Sequence, residues 1–312
     1  MTAQAASIKS LQEYRSNSLY RLMLRRILKQ RSAIIGGILL GILILVAVLA
    51  DFIAPYDPEA VLIGVEPVKK RQAPCIHALG CPTEQPQHLR GIDGNVRDEF
   101  SRVIHGARVS LFVGFSTIGV AIIVGTFLGA ISGYFGGWTD GIVMRIMDVL
   151  LAFPSLLLSI AIVNVLGRGL QNALLAIAIV SIPTYARVVR ASVLSTKEAD
   201  YVSASRSLGA SHLHILFYRI LPNSITPLIV QGTLGIASAI LSAAALSFIG
   251  LGAQPPTPEW GTMLGAERNQ VFTAPHLVFF PGIAIMITVL AFNLLGDGLR
   301  DALDPRLVQE KE

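Results

Sequence analysis

The side chains best equipped for chemistry gather in one polar stretch, Thr196-Lys197-Glu198-Ala199-Asp200-Tyr201-Val202-Ser203-Ala204-Ser205-Arg206-Ser207-Leu208-Gly209-Ala210-Ser211. It holds carboxylates, a phenol, serine hydroxyls and a guanidinium but no nucleophile paired with a base, so the chemistry on offer is recognition, not bond making. Ser195 and Glu198 stand at capping-box spacing and predict a helix start, and Gly209 supplies a left-handed stop. A second short helical run is predicted to end at Leu221-Pro222-Asn223. In the first helix Tyr201, Ser205 and Leu208 share one face, while Ser203, Ala204 and Ser207 leave the other narrow enough to enter a groove. The stretch reads as a handle for another protein, against the plain alternative of a loop that folds into two short helices.

The elements that must carry this handle are apolar. Of 312 residues, 53% are hydrophobic and 14% charged, with a mean hydropathy of +0.61, which no soluble domain of this length needs. An all-α membrane protein follows. Six stretches approach the roughly 20 apolar residues that span a bilayer, at about 33–53, 108–132, 142–165, 172–192, 224–250 and 277–297. The first has no small-residue cleavage site behind Ala50-Asp51-Phe52-Ile53-Ala54-Pro55 and is expected to remain as an anchor. Ahead of it stand Lys9, Arg15, Arg21, Arg25, Arg26, Lys29 and Arg31, whereas the turn at Arg168 and the loop at Arg268 hold one basic residue each. That asymmetry predicts a cytoplasmic amino terminus and, after six crossings, a cytoplasmic carboxyl end with Arg300, Arg306 and Lys311. The segment 195–222 falls on the same side. The net charge of +5 argues for anionic lipid at the inner leaflet, and no aromatic-basic nucleic-acid motif appears. The expected organisation is a cytoplasmic segment 1–32, a first span 33–53, an external loop 54–105, a five-helix core 106–297 and a cytoplasmic tail 298–312.

The loop from Pro55 to His105 mixes Lys69, Lys70, Arg71, Arg90, Arg97 and Arg102 with seven acidic residues, and long loops escape the charge rule. The only cysteines, Cys75 and Cys81, lie in it, and a disulfide is the favoured reading if that side is oxidising. Free thiols remain the alternative; His77 and His88 add too little for a metal site.

Beyond the fifth span, Gly250-Leu251-Gly252-Ala253-Gln254-Pro255-Pro256-Thr257-Pro258-Glu259-Trp260-Gly261 is a stiff non-helical crossing, with Trp260 placed to anchor at the membrane interface. Gly125, Gly129 and Gly133, and Gly235, Ala239 and Ala243, repeat every four residues; close helix packing is one reading and a permeation wall the other. Arg145 and Asp148 lie one turn apart and are expected to neutralise each other, as are Arg300 and Asp304. Asn164, Gln231, Ser238, Ser242 and Asn293 are the polar groups able to face a water-filled path, or else to bond a neighbouring helix. The chain contains no phosphate loop, no His-Glu-x-x-His and no Gly-x-Ser-x-Gly elbow, so energy for moving a solute must come from a partner. No metal or cofactor is expected.

The wording Asp200-Tyr201-Val202-x-Ala204-x-Arg206-x-Leu208-Gly209-Ala210-Ser211, with Leu221-Pro222-Asn223 after it, resembles the EAA loop of ABC importer permeases of the dipeptide and oligopeptide branch (OppBC subfamily). The general motif's glutamate falls on Ser203, its second alanine on Ser205 and its isoleucine on Arg219. Gln254-Pro255-Pro256-x-Pro258-Glu259-Trp260-Gly261 is similar to the outer-gate loop of that branch, and Asn293 to Arg306 to its closing signature. Gly106-Ala107-Arg108-Val109-Ser110-Leu111 fits too, whereas upstream Val96 stands in a glycine position. The resemblance implies a type I ABC importer permease fold with a cytoplasmic coupling helix. Asp200, Tyr201, Ser203, Ala204, Ser205, Arg206, Gly209 and Ala210 would then contact an ATP-binding subunit, and Gln254, Pro255, Pro256, Glu259 and Trp260 would form the outer gate. It further implies a homologous second permease, two ATP-binding subunits, an external substrate-binding protein and alternating access for di- or oligopeptides. Glutathione, nickel chelates and haem use related permeases. The rival is a secondary transporter driven by an ion gradient, for which the spans offer few ionisable groups; an intramembrane enzyme lacks a paired nucleophile and base.

Overall fold

In the computed structural model, residues 26–303 are described. Lys9, Arg15, Arg21, Arg25, Arg306 and Lys311, and the pairing of Arg300 with Asp304, lie outside the described residues. Among the described residues the helices of eight residues or more are, in chain order, α1 (Arg31–Val48), α2 (Glu99–Phe135), α3 (Gly137–Leu151), α4 (Ser155–Leu166), α5 (Leu170–Lys197), α6 (Asp200–Ser207), α7 (Leu221–Phe248), α8 (Trp260–Glu267) and α9 (His276–Leu303). Among the described residues the only strand-like pairings are isolated bridges. Among the described residues five helices are long and apolar enough to cross a membrane: α1, α2, α5, α9, and α7 extended back to His212.

The expected span at 142–165 is a broken one, made of two helices, α3 and α4, that together are long and apolar enough to cross and are bent by 94°. The break falls at Ala152-Phe153-Pro154. Pro154 has no N–H to donate and excludes the helical conformation from Phe153, so the chain turns there. Asp148 does not pair with Arg145. It accepts from Arg187 of α5 at 2.6 Å, because a neighbouring helix brings a guanidinium closer than the residue one turn back. A second tie holds α3 on the same helix, with Asp140 accepting from Arg190 at 2.5 Å and from Ser132 of α2.

Inside a bilayer, lipid tails are as apolar as leucine, so helices associate through close packing and not through hydrophobic exclusion. The α2–α5 crossing shows how. A Cβ added at Gly129 would lie 2.3 Å from the Ala186 carbonyl oxygen, and one at Gly125 would lie 2.7 Å from Tyr185 Cβ. The glycine row is therefore a packing seam.

At one end, residues 54–98 fold into a cap over the start of α2. Asp98 caps that helix, accepting from the Ser101 N–H and hydroxyl at 2.8 and 2.7 Å. His88, fully buried, lies between Asp98 at 2.8 Å and Glu66 at 3.1 Å. Tyr56 stacks on its ring and donates to Glu66 at 3.0 Å. Beside them Cys75 and Cys81 are joined by a disulfide. Burial works against a charged His88, but Asp98 first and Glu66 second outweigh it, and its pKa lies above the ordinary 6.5. A raised folded-state pKa adds stability that is complete below the unfolded value and is lost as pH rises through the folded one. The melting temperature of the detergent-solubilised protein is therefore expected to fall as pH climbs above about 6.5, and His88→Gln should flatten that slope. A profile unchanged by the substitution would refute it.

Candidate functional site

At the end of the bundle opposite the cap, α6 stands out from the helices that carry it. The predicted start at Ser195 is not observed: α5 runs on through Lys197, and α6 opens at Asp200 with Ala199 before it and no side-chain cap. The last turn of α5 is held against α2 instead: Val193 is buried and Lys197 donates to Gly133 O at 3.3 Å, which outweighs the capping-box spacing. The far end is as predicted. Gly209 has φ +79°, the Ala210 N–H reaches Ser205 O at 3.1 Å and the Gly209 N–H reaches Arg206 O at 3.0 Å. These two bonds close the helix in a Schellman turn.

The return run does not stop before Pro222. His212–His214 leads into a π-turn, Ile215–Ile220, that passes directly into α7 with Pro222 in its first turn. A proline there needs no amide partner, and the wide turn before it absorbs the altered register. Val202, Ile215 and Ile220 are fully buried and pin the pair to the bundle. Asn223 donates to Arg219 O at 2.9 Å and to the Tyr201 hydroxyl at 3.0 Å, tying α6 to α7. Asp200, Tyr201, Ser203, Ala204, Arg206 and Gly209 are exposed, and Ser205 and Ala210 half-buried. The exposed apolar side chains Leu208, Leu213, Phe217 and Tyr218 flank them. Together they form a narrow polar ridge with apolar flanks.

Midway along the bundle a chamber of about 170 Å³ opens between α2, α4, α5 and α7. Gln231, Ser238 and Ser242 line it from α7, facing Ser181, Thr184 and Tyr185 of α5, and Ser155 and Ser159 close it from α4. Asn164 and Asn293 do not: both are exposed, on α4 and α9. Ser159, Ser181, Thr184 and Tyr185 were not anticipated. The available signal was Ser181 and Thr184 one turn apart in the uncharged stretch between Asn172 and Arg187.

Above the chamber runs the proline loop. Gln254, Pro255 and Pro256 are exposed, and Gln254 donates to Gly252 O at 2.9 Å. Glu259 is buried and caps α8, accepting from the Gly261 and Thr262 N–H groups at 3.0 and 2.8 Å. Trp260 is not an interfacial anchor. It is 1% exposed and donates to Val103 O of α2 at 2.9 Å. Arg102 bridges the loop to the cap through Pro256 O at 3.2 Å and Pro58 O at 2.8 Å.

Comparison with known proteins bears on both ends of this arrangement. Residues 125–309 match the family described as binding-protein-dependent transport system inner membrane component, and residues 18–74 match the N-terminal TM domain of oligopeptide transport permease C. Over 307 residues, 98% of this chain and 96% of the other, it is 45% identical to the dipeptide transport system permease protein DppC of Alkalihalophilus pseudofirmus. The chain belongs to this permease family. The permease is also 43% identical to the glutathione transport system permease protein GsiD of Pectobacterium atrosepticum, across 98% of its own length and 97% of the relative's. To the di/tripeptide transport system permease protein DppC of Pseudomonas aeruginosa it is 48% identical, across 88% of each. Its fold is that of a chain of the inward-facing MetNI methionine ABC transporter, with a TM-score of 0.54, 18% identity and coverage of 65% of this chain and 97% of that one.

Proposed function

We propose that this permease lines half of the path by which an ATP-driven importer takes up short peptides, and that α6 receives the stroke of a separate ATP-binding subunit. One observation carries the coupling role: an exposed, narrow helix closed by Gly209, fastened to two long helices that also wall a polar chamber. Closure of an ATP-binding dimer around α6 would move α5 and α7 together and change access to the chamber. In this reading α6 faces the cytoplasm and the cap the outside, where a binding protein delivers peptide. A homologous permease completes the path, and two ATP-binding subunits drive it. Relatives named for dipeptides, di/tripeptides and glutathione point to short peptides as the solute class. Uptake of labelled alanyl-alanine into cells expressing the complete system is expected to survive collapse of the proton gradient and to stop on ATP depletion. The reverse pattern would remove the importer reading in favour of a gradient-driven carrier.

A further inference from the structure

The hydroxyls of the chamber are not equivalent as donors and acceptors, and the asymmetry bears on what they hold. Ser159 donates to Ser155 O at 2.9 Å, Ser181 to Ile177 O at 2.7 Å and Ser238 to Leu234 O at 3.4 Å, each one turn back on its own helix. With their protons committed to the backbone, the Ser159 and Ser181 oxygens offer a ligand only lone pairs, and the long Ser238 contact leaves that oxygen free to accept as well. Tyr185 is nearly fully buried, and its hydroxyl reaches Gln231 O across a long 3.5 Å. No Asp, Glu, Lys, Arg or His is among the lining residues, and Gln231 is the one lining side chain that carries N–H donors. The space is charge-free and rich in acceptors.

We infer that the chamber is a subsite for the peptide unit of a passing substrate. Its amide N–H donates to an oxygen among those of Ser159, Ser181 and Ser238, and its carbonyl accepts from the Gln231 amide. The lining holds no charged side chain to pair with a carboxylate or a metal chelate. Neutral contacts of this kind are individually weak, so a solute leaves as readily as it enters. The inference rests on the importer reading above and names the part of the substrate that this site touches.

Width is set by one contact. A Cβ at Gly235 would fall 1.9 Å from the Tyr185 hydroxyl oxygen and 3.3 Å from its Cζ, so α7 leaves a notch that this phenol fills. The cavity is of the order that takes up a benzene-sized group, which fits one small residue at a time. Gly235→Ala must drive the ring into the chamber; Tyr185→Phe removes the offending atom.

The test uses the permease with the partner permease, ATP-binding subunits and binding protein that co-purify with it, reconstituted in proteoliposomes. Uptake of alanyl-alanine is compared with uptake of its analogue methylated at the peptide nitrogen, in wild type and in Ser181→Ala/Ser238→Ala. The binding protein's own preference is common to both and cancels in the ratio. The preference for the N–H substrate is expected to fall about 2–10-fold in the variant, and equal ratios would overturn the proposal. Gly235→Ala should depress phenylalanyl-phenylalanine uptake more than glycyl-glycine uptake, and adding Tyr185→Phe should relieve it. A loss that the second change does not relieve overturns the width argument. Absence of any ATP-dependent uptake by the wild-type assembly would take the importer reading down as well, and is a separate result.

Discussion

Tryptophan at Ala204 is expected to cut peptide uptake by about 10–100-fold, the range that an overfilled contact produces, while the permease still inserts and co-purifies with its partners. Ala204 is exposed on α6, so the larger side chain meets nothing in this chain and the fold has no reason to change. Only a partner enclosing α6 can register it. Gly209→Val acts differently. At φ +79°, with nothing near its Cβ, the position has room but the wrong backbone for a β-branched residue, at a cost of about 1–3 kcal/mol. The Schellman turn would open and α6 would swing relative to α7. Both variants should hydrolyse ATP without matching uptake, measured together in proteoliposomes, and Ser203→Ala should be near wild type. If Ala204→Trp transports normally, α6 is not the docking element.

Trp260→Ala should destabilise the permease by about 3–5 kcal/mol, the usual cost of emptying a buried aromatic site. The indole is buried against α2 and its N–H makes a second hydrogen bond to Val103 O, which already accepts within the helix, so the truncation leaves a void and removes the tie between α8 and α2. Trp260→Phe keeps most of the volume and loses the hydrogen bond, for about 1–3 kcal/mol. Phe272, 99% exposed, is the control, and Phe272→Ala should change little. The measurement is thermal unfolding in detergent. A Trp260→Ala protein that melts with wild type would mean that α8 does not pin the proline loop to α2. The same substitution would loosen the contact between loop and cap through Arg102, so loss of uptake should accompany loss of stability.

Both substitutions act on features of which the linear sequence reveals one half. Gly209 is legible because a left-handed helix stop is a local demand and glycine meets it at least cost. Trp260 was legible as an aromatic beside prolines, and its place at a membrane interface was inferred from its type alone; tertiary packing buried it. The same division runs through the charged pairs. Arg145 and Asp148 are neighbours on one helix, yet Asp148 bonds Arg187, because the α3–α5 crossing brings that guanidinium nearer.

What the sequence determined unaided is what depends on neighbours within a turn or on composition: spanning helices from runs of apolar residues, the end of α6 at Gly209, the non-helical proline loop, and membership of a family whose motifs are local. Only the tertiary structure decided which polar residues share a chamber, placing Ser181 and Tyr185 there with Gln231, Ser238 and Ser242 and leaving Asn164 and Asn293 outside. The reason is geometric. A helix presents a new face every 100° or so, and which face meets a path, a neighbour or lipid is set by crossing angles and by the 94° break between α3 and α4, quantities that no single helix encodes.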